Sequence, residues 1–237
     1  MADARFDIPL YTQAEVSRYL DMPEKTLQDW AKGYDRSFPS GRVVHRDPMI
    51  TRLTPEHPSG PSIPFVGLAE GVFLSGLRRA GMSMQQIRPA LEMVRDKLGV
   101  AHALASQRLY VAGAQLLWEV SEDDDLQREA RDQARKLIVL KNGQYVFREV
   151  VDRYLRRITY ENDYASLVSL PEYEVAEIVA ELGINYGRPY FTATGTPLYV
   201  VTGRLSAGED IDEVADDFDL PVDQVTEVAE RVRRGAA

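Results

Sequence analysis

Two segments with the pattern of a helix-turn-helix lie at opposite ends of this 237-residue chain, in parts of the chain that carry opposite net charge. Residues 161–237 contain five Arg, no Lys and sixteen Asp and Glu, which gives a net charge of −11. Residues 1–160 carry a net charge of +2, so nearly all of the excess acidity lies at the C-terminal end. A polyanion attracts the first part and is repelled by the second. The asymmetry predicts an adaptor that contacts DNA with its front and a protein with its back.

The composition is that of an ordinary globular protein, with 44% hydrophobic and 27% charged residues. The absence of cysteine excludes a disulfide framework, a thiolate metal site and a cysteine nucleophile, and it fits a reducing cytoplasm. Met1–Leu10 lacks the apolar region of a signal peptide, and the longest apolar runs are far too short to cross a bilayer. We therefore expect a cytoplasmic protein that does not associate with membranes.

The N-terminal pattern predicts two short amphipathic helices joined by a tight turn. Thr12 and Glu15 have the spacing of a capping box at the start of the first helix. Pro23 suits the first turn of the second helix, and Gly33 ends that helix. Two such helices on a tight turn form a helix-turn-helix.

A proline-rich wing is expected next, because residues 38–64 contain six Pro and cannot be helical over most of their length. Val43–Val44 and Ile50–Leu53 are candidates for the two strands of a hairpin. Three segments of helical character follow: Phe65–Ala80, Ser83–Leu98 and Ala101–Leu117.

Further along, Asn142–Gly143 between apolar residues predicts a type I′ hairpin. A short helix is expected at Val150–Ile158 and a strand at Tyr164–Leu170. Three short helices close the chain, and we expect Thr196 to cap the first of them with Pro197 at its first position.

The predicted fold class is mostly α with short β-hairpins (α+β). It comprises a winged helix-turn-helix domain over residues 1–100, a connecting and dimerisation segment over 101–171, and an acidic tri-helical domain over 172–237.

The first hundred residues resemble the MerR-type winged helix-turn-helix. The resemblance lies in Tyr11-Thr12-Gln13-Ala14-Glu15-Val16, in Lys25-Thr26-Leu27, and in the order of two helices, wing and two further helices. The sequence departs from that family after Gly33, where the usual tyrosine-rich wing is missing.

Residues 176–230 resemble the small domain of unknown function found in VapB-type antitoxins. The matching motifs are Ile178-Val179-Ala180-Glu181, Gly187-Arg188-Pro189, Gly195-Thr196-Pro197, Ala207-Gly208 and Leu220-Pro221 with Val225. Pro197 follows Thr196 directly, so the Arg-x spacer of that family is absent. Together the two resemblances imply an antitoxin that neutralises a PIN-type ribonuclease toxin and represses its own promoter.

Candidate DNA contacts lie on the second helix and on the wing. Gln can address adenine, Lys can address guanine or phosphate, and Arg can contact phosphate or a minor groove. The candidates are Lys25, Gln28, Lys32, Arg36, Arg42, Arg46 and Arg52. The alternative is a solvated helix face with solubilising charges on a loop, in a protein-interaction adaptor that does not bind DNA.

Three cations interrupt the acidity of the C-terminal end: Arg231, Arg233 and Arg234. The resemblance implies a toxin whose active site is a cluster of metal-binding carboxylates, with which an inserted Arg can pair. The alternative is that these side chains complement the negative end of the last helix.

Catalysis, metal binding and cofactor binding are not expected. The three His, at positions 45, 57 and 102, lack the spacing of metal ligands, and no Ser/His/Asp set stands out. A single helix-turn-helix reads only a half-site, so we expect a homodimer, with residues 83–117 as its interface.

Overall fold

The structure is a computed structural model that describes residues 3–37, 41–109 and 157–235. The hairpin predicted at Asn142–Gly143 lies outside the described residues. So do most of the helix expected at Val150–Ile158 and the last part of Ala101–Leu117.

Helices dominate the N-terminal part, and one hairpin interrupts them. The elements are α1 (Ala4–Asp7), α2 (Gln13–Tyr19), α3 (Glu24–Lys32), β1 (Tyr34–Ser37), β2 (Val43–Arg46), α4 (Phe65–Arg79), α5 (Met84–Leu98) and a 3₁₀ turn (Ala103–Ala105). The predicted capping box starts α2. The Thr12 hydroxyl accepts from the Glu15 N–H at 3.1 Å, and the Glu15 carboxylate accepts from the Thr12 N–H at 2.8 Å. The two predicted helices of the helix-turn-helix are confirmed.

The hairpin contains one of its two predicted strands, since Val43–Val44 lies in β2, but the other strand is β1. β1 pairs with β2 in antiparallel register, with Ser37 opposite Val43 and Tyr34 opposite Arg46. The expected strand at Ile50–Leu53 is wrong. Ile50 is buried, and its N–H donates to the carbonyl of Trp30 at 3.2 Å. The apolar character of this segment reflects its return to the end of α3 rather than strand pairing.

The C-terminal part combines a sheet with three helices. Its elements are β3 (Ile158–Glu161), β4 (Tyr164–Ser169), β5 (Ile178–Glu181), a 3₁₀ turn (Asn185–Gly187), β6 (Tyr190–Phe191), α6 (Leu198–Ser206), α7 (Ile211–Asp217) and α8 (Val222–Gly235). The four strands form an antiparallel sheet in the order β3-β4-β5-β6, with a bulge between Thr159 and Tyr160. The strand predicted at Tyr164–Leu170 and the three C-terminal helices are confirmed.

Two local predictions in this part are wrong. Ile158 belongs to β3, so its expected place at the end of a helix is wrong. Pro197, rather than Thr196, is the cap residue of α6, and it makes no side-chain cap hydrogen bond. The Thr196 hydroxyl instead lies 2.8 Å from the hydroxyl of Thr194, because the turn before α6 is tight enough to bring the two together.

One hydrophobic core joins both ends of the chain. It runs from the buried faces of α2, α3 and α4 to the sheet and to the inner faces of α6, α7 and α8. The sheet also crosses the domain boundary expected after residue 171, since β4 precedes that boundary and β5 follows it. The fold is therefore α+β as predicted, with both helical units packed on shared elements. Over the described residues, no helix has the length and apolar character to cross a membrane.

Candidate nucleic-acid interface

Helix α3 buries one face and exposes the other. Leu27, Trp30 and Ala31 face the core, whereas Lys25 and Lys32 are exposed and Gln28 is half-buried. The three candidate side chains therefore lie away from the core on one helix of nine residues. This is the arrangement that a helix needs to enter a major groove.

The polar side chains of α3 also contact one another. Lys25 Nζ lies 2.6 Å from Asp29 Oδ1, and Gln28 Nε2 donates to Glu24 Oε1 at 3.0 Å. The Lys25 side chain is 77% exposed, so water screens its ion pair, which contributes little to stability. Both candidates can exchange these partners for a base or a phosphate at small cost.

Gly33 sets the distance between α3 and the wing. Its backbone has φ +70° and ψ −178°, a combination open essentially only to glycine. A Cβ at this position would lie 2.2 Å from the carbonyl oxygen of Arg46, at the end of β2. The backbone of β2 therefore packs directly on the end of α3, which holds the helix and the wing as one unit.

Hydrogen bonds connect the segment that directly follows the wing to α3 and α5. The Met49 N–H donates to the carbonyl of Trp30 at 2.7 Å. Arg88 donates to the carbonyl of Asp47, and Arg95 Nη2 donates to the carbonyl of Met49 at 2.6 Å. Burial lowers the pKa of Arg88. Sequence reasoning missed these two arginines, because a buried Arg on an amphipathic helix looks like any polar position.

The candidate arginines fall into two places. Arg42 is exposed beside β2, Arg46 is half-buried at the end of β2, and Arg36 lies opposite Val44 in the hairpin register. Arg52 is exposed but lies on the returning segment, outside the hairpin. The structure thus brings three of the four candidates to the wing and corrects the expected wing position of Arg52.

His45 adds a titratable group to the wing. Its Nδ1 lies 2.7 Å from Asp35 Oδ1, and its Nε2 lies 3.5 Å from Asp47 Oδ1. The hydrogen bond with Asp35 raises the pKa of His45. Acidification therefore adds positive charge to this hairpin.

The three C-terminal arginines differ in how far their side chains are exposed. Arg231 lies with its guanidinium 4.8 Å from the centre of the Tyr173 ring, and its Nη1 is 3.7 Å from Asp21 Oδ2. Its side chain is only 19% exposed, so it links α8 to the turn between α2 and α3. Arg233 and Arg234 are exposed in the last turn of α8. Of the three candidates, these two are open to a partner.

Glu172 lies at the centre of the ionic cluster around Arg231. It is 4% exposed, forms an ion pair with Arg79, and lies 3.9 Å from Arg231. Burial raises the pKa of Glu172, while the two arginines oppose that rise. Arg79 also donates to the carbonyl of Leu20 at the end of α2, at 3.2 Å. The helix-turn-helix and the C-terminal helix are thereby joined by charged contacts that sequence reasoning did not find.

Over residues 3–37, 41–109 and 157–235, no group of three or more His, Asp or Glu side chains is placed to hold a metal ion.

Comparisons with known proteins assign both ends of the chain. Residues 9–91 match a family model described as "Putative DNA-binding HTH domain", and residues 178–230 match one described as "Protein of unknown function (DUF433)". The chain is 42% identical to "Putative antitoxin VapB45" of Mycobacterium tuberculosis (strain ATCC 25618 / H37Rv), over 97% of this chain and 96% of that protein. The crystal structure of Rv2018 from Mycobacterium tuberculosis is 40% identical in sequence. It aligns with a TM-score of 0.75 over 94% of this chain and 99% of that chain.

Two proteins that are 42% identical over nearly their full lengths share more than a fold and belong to the same family. The relative's name describes a regulatory role, which agrees with the expectation that the chain is not an enzyme. The two domain matches also lie in the order that the sequence motifs implied. The chain therefore belongs to the family of VapB-type antitoxins, with a helix-turn-helix domain in front and a DUF433 domain at the back.

Proposed function

We propose that this chain neutralises a PIN-type ribonuclease toxin and binds its own promoter as an autorepressor. The observation that carries the DNA-binding half is the backbone contact at Gly33, which holds the exposed face of α3 beside the basic wing. The toxin-binding half is supported by the relative of nearly equal length whose name is that of an antitoxin.

In this proposal α3 enters the major groove. Gln28 and Lys25 face base edges, and Lys32 faces phosphate. The wing residues Arg36, Arg42 and Arg46 contact phosphates or the adjacent minor groove, and Arg52 adds a phosphate contact from the returning segment. One chain reads a half-site, so the cytoplasmic protein acts as a homodimer on a symmetric operator.

The DNA-binding half is tested by fluorescence anisotropy on the promoter fragment over a range of salt concentrations. With about 6–10 phosphate contacts per dimer, affinity falls by about 10³–10⁵ between about 50 and 200 mM salt. Replacing Arg42 and Arg46 by Ala weakens binding to every sequence, whereas Gln28→Ala mainly relaxes sequence preference. The matched control replaces Arg233 and Arg234 by Ala, which removes the same charge from the C-terminal end. Equal affinity of all these variants for the promoter would overturn the DNA-binding proposal.

For toxin binding, we assign residues 172–237 as the part of the chain that contacts the ribonuclease. Net charge of −11 over residues 161–237 disfavours DNA there, and the exposed Arg233 and Arg234 are suited to metal-binding carboxylates. Arg231 is left out of this role, because it is held against Tyr173. If the Arg233→Ala, Arg234→Ala double variant inhibits the ribonuclease as well as wild type, the inserted-arginine mechanism fails. The assignment of the domain to toxin binding survives that result.

A second function, an adaptor that does not bind DNA, is favoured by one observation. Asp29 offsets the charge of Lys25, and Gln28 already donates to Glu24 of the same helix, so neither side chain is left without a partner. The salt titration separates the two functions. An adaptor binds the promoter no better than an unrelated duplex and shows no steep loss of affinity with salt.

A further inference from the structure

The C-terminal domain contains a long stretch without acidic residues. Residues 182–208 hold none of the sixteen Asp and Glu of residues 161–237. Their two charged residues are both paired with carboxylates. Arg188 Nη1 lies 3.0 Å from Glu15 Oε1, and Arg204 Nη1 lies 2.6 Å from Asp217 Oδ2. Carboxylates from outside this stretch therefore compensate both of its cations, within a strongly acidic domain.

Large apolar side chains are exposed in the same stretch. Tyr186 is 90% exposed, Tyr199 is 55% exposed and Ile184 is 40% exposed. Residues 192–195, between these side chains in sequence, are also exposed. A tyrosine ring that is exposed to water adds no hydrophobic stabilisation to the chain that carries it. A group of exposed large apolar side chains instead suggests a binding surface.

Two contacts join the loop of Tyr186 to the turn before α6 and to the start of that helix. Asn185 Nδ2 donates to the carbonyl of Gly195 at 3.1 Å, which joins the loop of Tyr186 to the turn before α6. The guanidinium of Arg188 lies 5.7 Å from the centre of the Tyr199 ring, at the start of α6. We call this surface the neutral face, defined by Ile184, Tyr186, residues 192–195 and Tyr199.

The backbone that presents Tyr186 is strained and held in place. Asn185, Tyr186 and Gly187 have consecutive φ values of +48°, +55° and +79°. The carbonyl of Gly187 accepts a 2.5 Å hydrogen bond from the buried hydroxyl of Tyr11. Residues other than glycine rarely adopt this left-handed backbone conformation. Where the surrounding structure holds such a residue in it, the position is commonly part of a functional site. The fold here stabilises an unfavourable turn that holds an aromatic ring in solvent.

The chemistry of the neutral face fits a protein rather than DNA. Interface cores are depleted of charge and enriched in tyrosine, and tyrosines often dominate the binding energy. DNA binding needs unpaired cations, and both arginines of this stretch are paired. Carboxylates border the face, since Glu177 accepts a hydrogen bond from the Thr192 hydroxyl at 3.1 Å. The matching surface is an uncharged pocket with a basic rim.

We propose that the neutral face docks the ribonuclease toxin, with the Tyr186 ring in an uncharged pocket of the toxin and the bordering carboxylates on its basic rim. This inference rests on the proposed function, and it assigns the surface through which that function is exerted. Arg233 and Arg234, at the far end of the chain, then act in addition to this contact rather than in place of it.

The test measures binding of the full-length chain to a catalytically inactive form of the proposed PIN-type ribonuclease partner, by isothermal titration calorimetry. Tyr186→Asn removes the ring and keeps a residue that tolerates the left-handed turn. Tyr199→Glu places a charge in the neutral face. Val222→Ser is the matched control, because Val222 is 48% exposed at the start of α8, outside the face. We expect Tyr186→Asn to bind about tenfold or more weakly and Tyr199→Glu more weakly still, with Val222→Ser unchanged.

Each contrary outcome has a distinct meaning. If wild type binds and both face variants bind equally well, the neutral face is not the docking surface, although the proposed function stands. If wild type does not bind the ribonuclease, the proposed function fails and this inference fails with it. If the face variants instead lose promoter affinity, or dissociate a homodimer in analytical ultracentrifugation while binding the ribonuclease normally, the occupant is DNA or a second copy and the proposal is overturned.

Discussion

At the scale of single residues, glycine positions decide how closely the DNA-binding elements approach one another. Gly33 directly precedes β1 and Gly41 lies between β1 and β2, and both have positive φ, of +70° and +78°. They differ in their surroundings. A Cβ at Gly33 would collide with the carbonyl of Arg46, whereas a Cβ at Gly41 would meet no atom within 4 Å. The two positions therefore differ in whether an added Cβ would collide with neighbouring backbone.

We expect Gly33→Ala to destabilise the protein more than Gly41→Ala. The conformational strain of either substitution is about 1–3 kcal/mol, and the collision at Gly33 adds to it by pushing β2 away from α3. Urea denaturation measures the free energy of unfolding, and anisotropy measures promoter affinity. Similar values for the two variants in both measurements would show that the wing is not held by this contact.

The acidic partner of Lys25 gives a second prediction at this scale. Asp29→Asn removes a negative charge from the exposed face of α3 and frees Lys25 from its 2.6 Å ion pair. Promoter affinity at low salt then rises, and the slope of log affinity against log salt steepens by up to about one. Asp212→Asn, an exposed change of equal charge in α7, serves as the control. A rise of the same size in the control would indicate a general charge effect, and no rise would argue against α3 as the DNA-binding helix.

At the scale of secondary-structure elements, the start of α2 is where local signals and long-range contacts meet. The Glu15 carboxylate accepts from the Thr12 N–H and hydroxyl, and it pairs with Arg188 of the C-terminal domain at 3.0 Å. Burial raises the pKa of Glu15, but these hydrogen bonds and the arginine outweigh burial and leave the pKa below its ordinary value of 4.5. The charged form is therefore the one that stabilises the folded state.

This lowered pKa predicts how stability depends on pH. The contribution of Glu15 is complete above about pH 4.5, the value for the unfolded chain, and is lost as pH falls through the lower folded-state pKa. Glu15→Gln removes this titration, so the difference in unfolding free energy between wild type and variant shrinks on acidification. Guanidinium denaturation from neutral pH down to about pH 3 follows it. A difference that stays constant over this range would contradict the assignment.

The elements that sequence reasoning found are those whose signals are local. The capping box of α2, the buried row Leu27, Trp30 and Ala31, and the strand at Tyr164–Ser169 can each be read from neighbouring residues. The segment Ile50–Leu53 has the same apolar character as a strand, yet its partner is the end of α3. Its partner is set by tertiary packing, which no local pattern encodes.

The candidate site was predictable to a similar extent. Exposed cations on α3 and the wing follow from composition and helical periodicity. The roles of Arg88, Arg95 and Arg231 depend on which carbonyl or ring each guanidinium meets across the fold. For that reason Arg231 looked like its neighbours Arg233 and Arg234 in sequence, although only the latter two are exposed.

At the scale of the whole molecule, the two ends are one packed body across a shared core. The Tyr11 hydroxyl, fully buried beside α2, donates to the carbonyl of Gly187 in the C-terminal domain. Burial raises the pKa of this tyrosine, so the hydroxyl keeps its proton at every physiological pH and remains a donor. This bond ties the helix-turn-helix to the loop that presents Tyr186.

Tyr11→Phe is expected to lower the free energy of unfolding by about 1–3 kcal/mol, because it leaves the Gly187 carbonyl without its buried donor. Tyr199→Phe, which removes a hydroxyl from an exposed ring, should have little effect. In a Trp118→Phe background, tryptophan fluorescence reports on Trp30 in α3, whereas far-ultraviolet circular dichroism reports on the helices of both ends. Loss of stability in only one of the two signals would show that the ends unfold independently.

If this antitoxin acts on a PIN-type ribonuclease, as we propose, it inhibits that enzyme directly. The measurement is the rate of cleavage of an RNA substrate by that enzyme as the full-length chain is added. We expect cleavage to fall in proportion to the added chain and to stop near a fixed stoichiometric ratio. Undiminished cleavage at a large molar excess of correctly folded chain would show that the chain does not neutralise the ribonuclease.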